Sequence, residues 1–267
     1  MSESTFIQAT YDYRLVALSI VIAIFASYAA LDLAARVTAA RNTSRLVWLF
    51  GGAIAMGTGI WSMHYTGMLA YRLPVPVYYH IPTVALSLVA AIGASLIALF
   101  VISRERISGL HVLAGSVLMA GGISGMHYTG MAAMRLPAMH HYDSGLVMLS
   151  VAIAALVSLA ALALTFLFRE EKSATVPKAL CAIIMGFAVP AMHYTAMAAV
   201  SYMPMKATPD LSLALDISAL GNAAIIAATF VILAAVFLLP LWSSSSPRNT
   251  AIAQPGKRQA AAGTITR

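Results

Sequence analysis

The chain has 267 residues, 61% of them apolar and only 9% charged, where a globular domain carries about 25% charged residues. Sixteen Lys and Arg with nine Asp and Glu cannot cover a water-exposed surface of this size, which excludes a soluble enzyme domain and leaves lipid as the cover for most of the outside. The net charge of +7 does not point to nucleic acid, because the basic residues stand in short loops beside apolar runs.

A helix crossing a bilayer needs about 20 mostly apolar residues. Such runs occur at residues 15–34, 46–70, 83–102, 108–134, 146–168, 179–200 and 219–242, predicting an all-α polytopic protein with seven transmembrane helices. The first ten residues hold Glu3 and no Lys or Arg, so the first run lacks the basic flank of a cleavable signal peptide and is read as a retained span. Arg36, Arg41, Arg45, Arg104, Arg106, Arg169, Lys172, Lys178, Arg248, Lys257, Arg258 and Arg267 fall on one side; only Arg14, Arg72, Arg135 and Lys206 fall on the other. The positive-inside rule then puts the N-terminus outside and the C-terminus in the cytoplasm. Asp32 and Arg36, four apart at the inner end of the first span, are expected to pair. Trp61 and Tyr78-Tyr79 read as interfacial belt residues. Residues 1–10 form an outer segment, 11–204 the repeated domain described next, and 205–242 a loop with the seventh span. Residues 243–267 form a basic tail without apolar periodicity, expected to be disordered and followed by no output domain.

Three copies of one string stand out: Met63-His64-Tyr65-Thr66-Gly67-Met68, Met126-His127-Tyr128-Thr129-Gly130-Met131 and Met192-His193-Tyr194-Thr195-Ala196-Met197. The histidines are 63 and 66 residues apart, and each interval holds two spans. The unit is therefore a helical hairpin, and all three motifs face the same, outer, side. Met56, Met119 and Met185 lie seven residues before the motifs, each followed by Gly57, Ala120 or Gly186. With Met63 at 0°, His64 falls at about 100° and Met68 at about 140°, so imidazole and thioethers share one arc. Gly67 lies within that arc and permits close approach, whereas Tyr65 and Thr66 fall outside it and support rather than ligate.

Thioether and imidazole without carboxylate or thiolate favour copper, above all Cu(I), over Mg, Ca or Mn. The candidate metal ligands are Met63, His64, Met68, Met126, His127, Met131, Met192, His193 and Met197. A haem b clamped between pairs of these histidines is the second option, disfavoured by the thioether stripe. A lone Met or Gly on a membrane helix usually means packing. Three histidines in one frame on equivalent helices ask for a common role, because each costs free energy in lipid. His80, His140 and His141 lie in outer loops, and His111 sits at the inner end of the fourth span, remote from the motifs. No P-loop, activated nucleophile or paired acid suggests an enzyme.

The thrice-repeated Met-His-Tyr-Thr string resembles the MHYT family of bacterial integral-membrane sensor domains, over about residues 11–204. The resemblance implies a place in the bacterial cytoplasmic (inner) membrane, copper held by the motif residues near its outer, periplasmic face, and sensing of oxygen, carbon monoxide or nitric oxide. Many such proteins continue into cyclic-di-GMP domains, so a separate cytoplasmic signalling partner is expected here. Ala196 departs from the glycine of the other two copies. A copper transporter is the alternative reading, and a metal-dependent membrane oxidase a third.

Overall fold

The computed structural model describes residues 6–104, 108–168, 175–206 and 208–233. Three copies of one strand–helix–helix–strand unit follow each other along the chain. The first comprises β1 (Thr10–Tyr11), α1 (Tyr13–Ala39), α2 (Asn42–Ala70) and β2 (Tyr71–Arg72). The second comprises β3 (Tyr78–His80), α3 (Ile81–Ile102), α4 (Gly109–Ala132) and β4 (Met134–Arg135). The third comprises β5 (Ala138–Tyr142), α5 (Ser144–Phe168), α6 (Thr175–Ala198) and β6 (Val200–Pro204). The described chain closes with β7 (Ala214–Asp216) and α7 (Ile217–Leu233).

Six helices, α1 to α6, are long and apolar enough to cross a membrane, making this a multi-pass membrane protein. They form a closed ring: each packs on its neighbours in chain order, and α6 returns to α1. α7 lies against α2 outside this ring. The outer surface carries Phe25, Phe50, Leu86, Leu118, Leu156 and Phe187, all exposed, while serines, threonines and the three motif histidines are buried. This inside-out distribution is what lipid demands, since a polar side chain facing hydrocarbon would stay unsatisfied. The buried hydroxyls mostly bond back to their own helix, as Ser95 does to the Ala91 carbonyl and Thr165 to that of Ala161.

In each unit the two strands pair antiparallel, joining the start of the first helix to the end of the second at the motif end of the ring. β7 adds to the free edge of β3. Sequence reading expected loops here, because runs of two to five residues are too short to show alternation. Two expected helix ends accordingly shift: Met134 lies in β4 and Val200 in β6, the chain turning extended ahead of Pro137 and Pro204.

At the opposite end α1 runs on to Ala39 and hands over to α2 through Asn42, whose φ of 51° is a left-handed conformation that asparagine tolerates. The expected pair forms here, Arg36 Nε donating to Asp32 Oδ2 at 2.7 Å, and Lys178 of α6 approaches the same carboxylate at 3.9 Å. Trp61 and Tyr79, expected at the interface, are instead interior. Trp61 is buried with its Nε1 donating to Ser87 Oγ, and Tyr79 is 1% exposed. The part of the expected seventh span beyond Leu233, the tail 243–267 and the basic residues Arg106, Arg169 and Lys172 lie outside the described residues.

Candidate metal centre

The ring positions α2, α4 and α6 so that His64, His127 and His193 point at one another. Their Nδ1 atoms form a near-equilateral triangle, each pair 3.2 Å apart, and the rings meet edge-on with centroids 4.9 to 5.1 Å apart. All three side chains are buried. No set of neutral tautomers satisfies this triangle. An imidazole nitrogen either donates or accepts, so three mutually facing nitrogens always leave one contact donor-to-donor or acceptor-to-acceptor. A cation removes the conflict, because three lone pairs can then share one target. The centre of such a triangle lies about 1.85 Å from each corner, close to the metal–imidazole distance of about 2.0–2.1 Å. The donor set therefore fits a metal ion, and these three are the residues that could hold it.

The outward nitrogens are placed by the motif glycines. An added Cβ at Gly67 would sit 2.5 Å from His193 Nε2, and one at Gly130 would sit 2.4 Å from His64 Nε2. The histidine of the first repeat thus lies over the glycine of the second, and that of the third over the glycine of the first. The Nε2 atoms themselves find no hydrogen-bond partner.

The motif tyrosines build the surrounding shell. Each packs against its own histidine, with centroids 4.8 or 4.9 Å apart. Each hydroxyl reaches a serine on the first helix of the following repeat: Tyr65 to Ser87 at 3.4 Å, Tyr128 to Ser150 at 2.7 Å and Tyr194 to Ser19 at 2.9 Å. Those serines donate to the carbonyls of Val84, Val147 and Val16, leaving a lone pair for the phenol. Sequence reading missed them, although the signal was present: Val16-Ala17-Leu18-Ser19, Val84-Ala85-Leu86-Ser87 and Val147-Met148-Leu149-Ser150 repeat in the odd-numbered helices as the histidine string does in the even ones.

Of the expected ligands, Met63, Met68, Met126, Met131, Met192 and Met197 are all buried. Met63 borders a cavity of about 30 Å³ beneath the triad. Among the described residues no hydrogen bond joins a motif methionine to the histidines. The outer histidines stand apart: His80 Nδ1 contacts Thr83 Oγ1, and His140 stacks beside Tyr142 and Tyr202. Partial burial holds the His140 pKa below the ordinary histidine value. His111 contacts Ser108 at the far end of α4.

A helical ring with a buried histidine triad defines a multi-pass membrane protein with one group of side chains that could hold a metal ion. The family model described as "Bacterial signalling protein N terminal repeat" matches residues 3–47, 57–115 and 121–176, and the chain belongs to this family, MHYT. It is 44% identical over 73% of its length to the bifunctional diguanylate cyclase/cyclic di-GMP phosphodiesterase MucR of Pseudomonas aeruginosa, covering 28% of that protein. It is 36% identical over 90% of its length to the cyclic di-GMP phosphodiesterase NbdA of the same organism, covering 30% of it. Against the signaling protein YkoW of Bacillus subtilis the identity is 34% over 76% of the chain and 26% of the relative. The chain thus spans less than a third of the length of these relatives. No solved structure matches it.

Proposed function

We propose that the protein is a membrane sensor that holds copper between His64, His127 and His193 near the outer face of the bacterial inner membrane. In this reading it responds to a diatomic gas or to redox state. The observation that carries the reading is the convergence of three Nδ1 atoms, 3.2 Å apart, from three separate helices. Imidazole with thioethers nearby and no carboxylate in the group favours copper. Copper so held would supply an open position for a gas ligand. The chain's own part is mechanical. Because each histidine belongs to a different helix, any change in the spacing of the triad moves α2, α4 and α6 relative to one another. The tyrosine–serine bonds pass that movement to α3, α5 and α1. Signal transfer requires that two helix packings hold the triad differently, so that the ligand biases their populations. Arg41, Arg45 and Arg104, at the inner end, are the surface offered to a cytoplasmic signalling partner.

The test is elemental analysis with an optical spectrum on the purified protein and on the variant His64→Ala/His127→Ala/His193→Ala. Copper is expected in the first and at a lower content in the second, with a gas-dependent spectral change only in the first; equal copper in both would overturn the site. The second reading, copper transport, draws on the methionine-lined cavity beneath the triad. Copper flux into proteoliposomes would favour it, and gas-dependent spectra without flux would favour sensing.

A further inference from the structure

Beneath the triad, three methionines outside the motif converge. Met56, Met119 and Met185 occupy corresponding positions on α2, α4 and α6, and all three line the same cavity of about 30 Å³. All three also line the next void inward, of about 10 Å³, where the wall includes Ile102 and Thr165 from the far ends of α3 and α5. The thioether layer therefore borders both openings on the axis of the ring, with Met63 linking it upward to the histidine layer. The three side chains are 8%, 3% and 6% exposed. The remaining wall of the two voids is aliphatic apart from the thioether of Met63 and the hydroxyls of Ser27 and Thr165, and Thr165 Oγ1 is committed to the Ala161 carbonyl. Among the described residues no carboxylate, imidazole or thiolate lines either void.

This chemistry is selective. A divalent or hard cation would meet no charged or oxygen-rich ligand set there and could not recover its hydration energy. A soft monovalent ion has the smaller desolvation cost and matches thioether donors. Three unbranched, flexible side chains around a space of atomic size can close on such an ion without moving the helices.

We propose that Met56, Met119 and Met185 form a second, thioether-only site for a soft monovalent cation, Cu(I) in the cell, one layer inward of the histidine triad. The site extends the copper reading of the triad but stands on different atoms. It makes the ring axis a two-station path, nitrogen outside and sulfur inside, for one metal chemistry.

The full chain in detergent is titrated with Ag(I), which mimics Cu(I) without redox chemistry, and the bound metal is counted and examined by X-ray absorption. Met56→Leu/Met119→Leu/Met185→Leu conserves volume while removing sulfur. It is expected to bind one Ag(I) fewer per chain than the unaltered protein, with the triad's copper retained. His64→Ala/His127→Ala/His193→Ala should keep an Ag(I) with sulfur neighbours only. Should the triple leucine chain not fold, Met119→Leu alone is expected to weaken that Ag(I) at least tenfold. Undiminished Ag(I) stoichiometry in the folded triple leucine chain, or undiminished affinity in Met119→Leu, overturns the proposal and leaves the methionines as packing around a dry void. Failure of the triad reading is a separate result, seen as unchanged copper in the histidine variant whatever the leucine variants do.

Discussion

At Gly67 and Gly130 the histidine of another repeat fills the volume a methyl group would need. Alanine is favoured over glycine in a helix by about 1 kcal/mol, so any loss on Gly130→Ala reports displacement of the His64 ring against that gain. We expect Gly130→Ala to lower thermal stability by about 1–3 kcal/mol, the usual range for overpacking, and to reduce copper content. Ala196→Gly should leave copper content intact, because it only adds room. Elemental analysis beside thermal unfolding in detergent checks both. The histidines and glycines were legible in the sequence because polar and backbone-permissive residues are conspicuous in an apolar helix. The serines that receive the tyrosines were not. A serine that bonds its own backbone is compatible with any membrane helix, and its partner lies on a helix the sequence does not name.

Between elements, the tyrosine–serine bonds are the cross-repeat ties that can be cut without emptying the core. Tyr128→Phe and Ser150→Ala should each cost about 1 kcal/mol, and the double variant little more than either, since both remove the 2.7 Å bond. Additive losses in a double-mutant cycle would mean that the two side chains act separately. Tighter constraints act where helix backbones meet. An added Cβ at Gly57 would stand 2.6 Å from Ile92 Cα, and one at Gly186 stands 2.5 Å from Ile24 Cα. Neither neighbour can rotate away, so Gly186→Val is expected to abolish the folded protein, read as loss of monodisperse material in size exclusion. The six ring helices were legible from apolar length alone. Their strands were not, because pairing between β5 and β6, some sixty residues apart, is decided by where the helices deliver their ends.

For the whole molecule, pH sets the stability of the strand-bearing end. Burial beside Tyr142 and Tyr202 lowers the His140 pKa from its ordinary value. Its folded pKa lies below its unfolded value, so the unfolded chain takes up the proton more readily. The contribution is present above the ordinary histidine range near 6.5 and is lost as pH falls toward the depressed folded value. The melting temperature of the unaltered protein minus that of His140→Phe should therefore decrease between pH 8 and pH 5; a difference independent of pH would rule out this linkage. Closure of the ring, with α6 returning to α1, was the feature least legible in the sequence, since periodicity reveals that units repeat but not that the last meets the first. That closure gives the join between third and first units the same standing as the two internal joins. A chain nicked between β2 and β3 should consequently behave as two interlocking fragments, and separately expressed pieces ending and starting near Pro74 should recombine in the membrane into a functional whole.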